Sequence, residues 1–545
     1  MTPPVSAEMA LLVDVGSAWA KAGVIGRVRG RWRLVAHAAQ PTAWGPAELR
    51  RALIDQLRAG ADPRLEDRLD DLLAGANRIE CHTARRPARL AIVAVSREMS
   101  GMAARRAAES TGWQVTEVVT FDDGRTLADR LSTLQATDVD AWLVAGGFDG
   151  TRSPRALEAA ALAASARRPG SGPVIWAGSV DLAGDVLNLF EPGAASSVAN
   201  PRPDARREDP VPLRMRLVEL LREVASPEDE VHLASVAFPR AMGALAAATG
   251  LRILGIDVGA RSATRALGEP DGSVASRSHA RGGLAGAILA PGAPARVARL
   301  AGDAGDEASV ADLLQTLRAR PATVPQTPEE LSATQAAARV QIAALLEDDV
   351  PEPLDLIVGA GRTIGMAPHP GQAARILLDG VRPVGVTQLA VDAAALLGPL
   401  GSLPGDEIRE GLTLLGDDLL VSLGTAIVCR GGEPGRVAMR VTVHRSGWPG
   451  LAPIDVRTGQ LQVVPLGRGQ EAEVTIEPAL GVTLGAARRS PRITAVVTGG
   501  AVGLILDARG IPIVLPRRGD DRRAVSAGWR DALQRESQPG AERVA

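Results

Sequence analysis

Apolar residues run without a break from Ala10 to Val13 and then meet Asp14-Val15-Gly16. Much later the pattern returns, as Leu251-Arg252-Ile253-Leu254-Gly255-Ile256 leads into Asp257-Val258-Gly259. An apolar run of this length, bounded by a glycine turn, predicts a strand buried on both faces. The segments after the two copies match as well. After the first come apolar Ala20–Val28, a turn at Arg29-Gly30-Arg31, and Trp32–Ala38. After the second come Ala263–Leu267, a turn at Glu269-Pro270-Asp271-Gly272, and Ser273–Ser278. Both halves therefore open with strand, Asp-Val-Gly turn, strand, tight turn, strand. A repeat on this scale predicts two related domains facing one cleft, not a solenoid.

Between the copies, leucines at helical spacing predict a helix over 48–74, with a break at Asp62-Pro63. Strands are expected at Arg89–Val95, Trp113–Thr120, Ala141–Ala145 and Pro173–Ala177, and helices at Ser96–Thr111 and Leu127–Leu134. This alternation is α/β. Polar, proline-rich Glu191–Pro212 reads as an exposed linker, and the Gly/Ala/Pro-rich stretch 282–295 as a flexible surface loop. Helices follow at Val310–Ala319 and at Pro328–Leu346, the latter capped by Thr327. A strand at Leu354–Val358 ends in Gly359-Ala360-Gly361, and a helix is expected over Pro370–Gly380. Beyond about Leu415 short alternating β-branched runs predict a β-rich unit. It closes with a hairpin around Ala508-Arg509-Gly510, and the charged tail from Pro516 is expected to fray. The resulting division is 1–249, 250–415, 416–520 and a mobile tail at 521–545.

Composition narrows the setting. A length of 545 residues suits several compact units. A net charge of −2 gives no reason to expect nucleic-acid binding. Two cysteines, Cys81 and Cys429, are too few for a disulfide framework and carry no metal motif around them. The N-terminus lacks the features of a signal peptide, and no apolar run has membrane-spanning length, so a cytoplasmic location is expected.

The candidate chemistry is phosphate handling. Consecutive N–H groups in a glycine turn form an anion-binding hollow, and a carboxylate beside it can hold hydrated Mg²⁺. Two facing turns could clamp the phosphates of one nucleotide. The plainer reading is that Asp-Val-Gly merely ends a strand. Lys21 sharpens the first copy, because it is the only lysine among 61 basic residues. A compact ammonium suits a single phosphate oxygen or carboxylate where a planar guanidinium would not. The Gly146-Gly147-Phe148-Asp149-Gly150 loop reads equally as a nucleotide or hinge contact and as a plain strand-to-helix turn. His369, between two prolines, reads as a held loop residue more readily than as a ligand contact.

These turns resemble those of the actin, sugar kinase and heat-shock chaperone superfamily of ATP-binding proteins. Through Leu11–Lys21, Trp142–Gly150, Ile253–Gly259, Leu356–Gly361 and above all Pro368–Thr387, the chain resembles the MutL/GlmL family. That family is associated with adenosylcobalamin-dependent glutamate mutase and is distinct from the mismatch-repair protein. The resemblance implies an α/β, actin-like (ribonuclease H-like) two-domain nucleotide clamp with an added C-terminal β-rich domain. It implies ATP and Mg as cofactors, with Asp14 and Asp257 as catalytic groups holding Mg, directly or through water. Gly16, Ser17, Gly259 and Ser262 would cradle phosphates, Lys21 would neutralise their charge, and Gly359 with Gly361 would seat adenosine.

The partner implied is an adenosylcobalamin-dependent mutase, and the role that of a reactivase or assembly chaperone driven by domain closure. The chain lacks the Asp-x-His-x-x-Gly motif of a cobalamin-binding mutase. It also departs from the family pattern, with alanine at 18, 20, 260 and 263 where hydroxyl residues are usual, which weakens the case for ATP hydrolysis. A small-molecule kinase on the same fold and a nucleotide-free scaffold are the alternatives.

Overall fold

The computed structural model describes residues 9–28, 30–60, 69–83, 88–168, 171–225, 232–279, 282–289, 292–302, 306–346, 350, 353–445, 452–485 and 492–535. They form two compact units, one of Met1–His82, Ala237–Ala275 and Gly282–Ala545, the other of Thr83–Val236 and Ser276–Arg281. The bounds expected at 249/250 and 415/416 both fall inside the first unit, because residues 83–236 interrupt it as an insertion.

The first unit opens with β1 (Met9–Val15), β2 (Trp19–Val28), β3 (Arg31–Pro41), helix α1 (Pro46–Gly60) and β4 (Asn77–His82). The strand order is β4-β1-β2-β3. β1–β2 and β2–β3 are antiparallel, while β4 runs parallel to β1. Leu49, Leu53 and Leu57 of α1 are buried with Val13, Ala20, Ala22 and Val24, so one stripe of the helix covers one face of the sheet. The expected break at 62–63 lies outside the described residues.

The second unit is a parallel sheet of β5 (Arg89–Ala94), β6 (Gln114–Thr120), β7 (Ala141–Ala145), β8 (Val174–Trp176) and β9 (Ala195–Ser197), ordered β6-β5-β7-β8-β9. Leu90 and Ile92 pack with Trp113, Leu213 and Leu217; Ala91 and Val93 pack on the opposite face with the alanine-rich helix Pro154–Ala166. Burial on both faces is why these strands read as unbroken apolar runs. The Gly146–Gly150 loop is a strand-to-helix turn. Its Gly147 carbonyl accepts from Asn200 Nδ2 at 2.9 Å, and the Asp149 N–H donates to Pro203 O at 2.9 Å. The stretch expected as a linker, Glu191–Pro212, thus contains β9 and packs on this loop.

The first unit resumes at Ala237. The buried face of helix Ala234–Thr249, through Phe238, Ala241, Met242 and Ala246, packs on Leu12 and on the second repeat. That repeat comprises β10 (Ile253–Val258), β11 (Ala263–Gly268), β12 (Leu356–Ala360) and β13 (Gly385–Val391). They are followed by β14 (Val421–Val428), β15 (Leu461–Val464) and β16 (Gly503–Asp507). Within this unit the sheet runs β11-β10-β12-β13-β14-β16-β15. As in the first repeat, an antiparallel hairpin is followed by a strand parallel to its first member. The fold is α/β. Helices α2 (Pro328–Leu346) and α3 (Pro370–Val381) bury alanine and leucine against the same core. Thr327 caps α2, its Oγ1 accepting from Glu330 N at 3.2 Å. His369 caps α3, its Nδ1 accepting from Gly371 N at 3.0 Å.

The C-terminal region differs from expectation in three ways. It is β-rich, with a separate antiparallel four-stranded sheet, yet β14, β15 and β16 extend the main sheet instead of forming a detached domain. No strand forms at Ile511–Leu515, so the hairpin around Ala508–Gly510 is absent; Pro512 and Pro516 cannot donate to a ladder. Of the expected mobile tail, residues 521–534 belong to helix α4 (Gly519–Gln534), because Trp529 and Leu533 recur at helical spacing and are buried in the main core, and residues 536–545 lie outside the described residues. The expected loop 282–295 also has structure, a 3₁₀ segment at Leu284–Leu289 with Ala287 buried. Among the described residues no helix is long and apolar enough to cross a membrane.

Candidate functional site

Hairpin register explains why the only lysine follows Asp14 by seven positions. The Gly16 N–H donates to Trp19 O at 3.0 Å and closes the turn between β1 and β2. The ladder then sets Asp14 opposite Lys21 on β2 and opposite Cys81 on β4. Cross-strand neighbours share a face. Lys21 Nζ lies 2.6 Å from Asp14 Oδ2, both side chains only 15% exposed, and Cys81 Sγ lies 3.8 Å from Asp14 Oδ1. The second copy repeats the geometry. Gly259 N–H donates to Ser262 O at 2.9 Å, and Asp257 stands opposite Thr264 and Ala360. Thr264 therefore takes the place of Lys21, and Ala360 that of Cys81.

A third carboxylate joins them. Asp392 follows β13 directly and is buried, with its oxygens accepting from Leu396 N at 2.9 Å and Leu397 N at 3.0 Å. Burial raises Asp257 to about 6, with the charges of Asp14 and Asp392 adding to the effect and Lys21 opposing it. Asp392 also rises to about 6, chiefly through burial, against its two backbone hydrogen bonds. Burial works against the Lys21 charge, but Asp14, Asp257 and Asp392 outweigh it and hold the ammonium above its usual range. Burial, then Asp14, pushes the Cys81 thiol well up, so it is an inert neighbour, not a nucleophile. Sequence reading overlooked Asp392. The available signal was an apolar run, Leu389-Ala390-Val391, ending in aspartate, but no glycine follows it.

The glycines divide. Gly361 has φ +86°, and a Cβ there would lie 2.2 Å from Val258 O and 2.8 Å from Asp257 Oδ1. Only glycine lets the backbone pass so close to the second turn. A Cβ at Gly359 would instead strike Ile364 and Leu377 side chains, which places Gly359 against the core. Ser17 and Ser262 sit partly buried within their turns. The first turn is braced by Thr42, whose Oγ1 donates to Gly16 O at 2.8 Å. The second is crossed by Gly283, Leu284 and Ala285, whose N–H groups donate to the carbonyls of Arg261, Gly259 and Ala260 at 2.9, 3.1 and 2.8 Å. Arg362 stacks 3.9 Å over the Trp19 ring, linking the end of β12 to the first hairpin.

These residues can be tested for fit to Mg²⁺. Among the described residues no three His, Cys, Asp or Glu side chains converge as a metal cage. Mg²⁺ seldom needs one, since one or two carboxylates complete its shell with waters and phosphate oxygens. Part-buried Asp257 and buried Asp392, carboxylates short of positive charge, fit a cation that arrives with a nucleotide.

The model of the MutL protein family matches residues 10–228. Over those residues the chain is similar to the MutL family. The matched segment carries Asp14, Gly16, Ser17, Lys21 and Cys81, whereas Asp257, Gly259, Ser262, Gly359, Gly361 and Asp392 lie beyond it. No curated protein matches. Among solved structures, component A of the (R)-2-hydroxyglutaryl-CoA dehydratase of Acidaminococcus fermentans is 10% identical. The alignment covers 74% of this chain and 98% of that one, with a TM-score of 0.27. The xylulose kinase of Bifidobacterium adolescentis is 13% identical, over 79% and 97% of the two chains, with a TM-score of 0.28. An activator of the 2-hydroxyisocaproyl-CoA dehydratase of Clostridium difficile, with bound ADPNP, is 10% identical over 75% and 98%, with a TM-score of 0.26.

Proposed function

We propose that this chain is an ATP-binding accessory protein that acts on a partner enzyme. The partner is an adenosylcobalamin-dependent mutase of the glutamate mutase type, and the task is exchange of damaged cobalamin or assistance in assembly. The observation that carries the reading is the twice-built hairpin, Asp14 opposite Lys21 and Asp257 opposite Thr264 in the same register. The match of residues 10–228 to the MutL family model supports the partner class. Mg-ATP would enter with its cation toward Asp257 and Asp392, and Lys21 would turn from Asp14 to a phosphate oxygen. Bound nucleotide supplies negative charge for the ammonium, and its Mg²⁺ supplies positive charge for the carboxylates. Closure of the two hairpins on the nucleotide is the movement passed to the partner.

A nucleotide-free scaffold is the second reading. It is favoured by the Gly16 and Gly259 N–H groups, which are already bonded within their hairpins, and by the hold of Asp14 on Lys21.

Calorimetry with Mg-ATP separates them. Saturable binding by the wild type, abolished in Asp14→Ala and Lys21→Ala, supports the ATP reading. ATP turnover that rises on adding mutase subunits supports the partner. Absence of binding at millimolar Mg-ATP overturns the ATP reading and leaves the scaffold.

A further inference from the structure

Outside the carboxylate cluster, a polar pocket of about 440 Å³ opens among α2, α3 and α4. Its wall carries Arg339 from α2, Arg375 from α3 and Arg530 from α4, together with Gln335. The one acid among its described lining residues is Glu329, exposed in the first turn of α2.

Behind this wall the ion pairing is uneven. Asp379, 4% exposed, takes Arg339 Nη1 at 2.9 Å, Arg509 Nη1 at 2.7 Å and Arg375 Nε at 3.5 Å. Arg509 turns also to Asp507 at 2.7 Å. Among the described residues, three guanidiniums thus share two carboxylates, which leaves one positive charge over in this buried group. Burial and the charge of Arg339 pull Arg375 down to about 10, with Arg509 and Arg530 adding to the effect and Asp379 opposing it. One buried donor on the pocket wall, Gln335 Nε2, has no hydrogen-bond partner among the described residues, whereas Arg375 sets Nε toward Asp379 and donates from Nη1 and Nη2 to Ser526 O and Oγ at 3.4 and 2.6 Å. Surplus buried positive charge and the unpaired Gln335 amide in one cavity call for an acceptor that carries negative charge.

We propose that this pocket is a binding site for a small oxyanion, a phosphoryl or carboxylate group of a soluble metabolite. Arg375 and Arg530 line it from two helices, with Arg339 and Gln335 beside them, and an anion would share the Arg375 guanidinium with Ser526. A guanidinium's planar fork matches the paired oxygens of either group. The site is opposite in sign to the Asp14, Asp257 and Asp392 cluster, and it does not depend on nucleotide binding there.

The test uses the full chain without nucleotide. Calorimetry and thermal shift are run with sodium phosphate and with sodium citrate, against sodium chloride at matched ionic strength. The expected result is saturable binding of at least one anion, weakened about tenfold or more in Arg530→Gln and in Arg375→Gln. Tighter phosphate identifies a phosphoryl ligand, and tighter citrate a carboxylate ligand; each supports the site. Arg375→Gln sits in the ion-pair group and can lose stability, so Arg530→Gln, nearer the surface, decides the matter if Arg375→Gln fails to fold. Binding equal in Arg530→Gln and wild type, or no stabilisation beyond chloride, overturns the proposal.

Discussion

Lys21 Nζ lies 2.6 Å from Asp14 Oδ2 across the first hairpin, and the charges of Asp257 and Asp392 also act on that ammonium. The only lysine in the chain thus serves carboxylates from three different strand ends. A point charge on a flexible stem can answer several partners at once, where a guanidinium would commit its fork to one.

Replacing Lys21 by Met should leave three carboxylates around an apolar stem and cost about 3 kcal/mol in urea denaturation. Adding Asp14→Asn should restore part of that loss, because the two residues are coupled. A single-variant cost below about 1 kcal/mol, the range of exposed pairs, would sink this account.

The pH dependence has a defined sign. Asp257 and Asp392 rise from 3.8 to about 6 on folding. Between those values the folded chain holds protons that the unfolded chain has released. Their contribution to stability is therefore full below 3.8, falls as pH rises through about 6, and stays low above it. The loss is on the order of 1–3 kcal/mol per carboxylate. Asp257→Asn should flatten its share, seen as the wild-type-minus-variant difference in Tm between pH 4.5 and pH 7, taken as rough bounds of the window. A difference that grows in favour of the wild type with rising pH would contradict the raised value.

Gly361→Ala should be severely destabilising, by about 3 kcal/mol or more, since the added Cβ meets Val258 O at 2.2 Å with φ at +86°. Gly30→Ala is the control. It shares a positive φ of +80° but has open space around the added carbon, so only about 1 kcal/mol is expected. Equal losses in thermal denaturation would show that strain, not contact with the second turn, governs Gly361.

Trp529→Ala should cost about 3–5 kcal/mol by removing a buried ring from the main core. Leu480→Ala, at a fully exposed position, should stay within about 0.5 kcal/mol. Limited proteolysis should cut α4 in Trp529→Ala and spare it in the wild type. Rapid cleavage there in the wild type would mean that the helix is not docked.

Arg362 and Trp19 offer a double-mutant cycle. Arg362→Gln and Trp19→Leu should each destabilise, with a coupling of about 0.5–2 kcal/mol for the stacked pair. Additive losses would show that the stacking at 3.9 Å carries no energy.

The sequence by itself determined what depends on neighbours along the chain. Two buried strands ending in Asp-Val-Gly were legible because apolar runs and glycine turns are local signals. The bounds of α2 were legible to the residue because Thr327 and Pro328 are a cap and a first helical position. The distinction of Lys21 was legible by counting. Tertiary structure alone decided the rest. It set Asp14 against Lys21, because a seven-residue spacing becomes a contact only once the hairpin register is fixed. It brought Asp392 into the charge cluster from a strand end that carries no glycine signal. It folded residues 83–236 as an insertion within the first unit, and it docked Gly519–Gln534 as a helix, because Trp529 and Leu533 find a core made by strands far away in sequence. Burial, register and long-range charge are properties of distant residues meeting, and no local pattern encodes them.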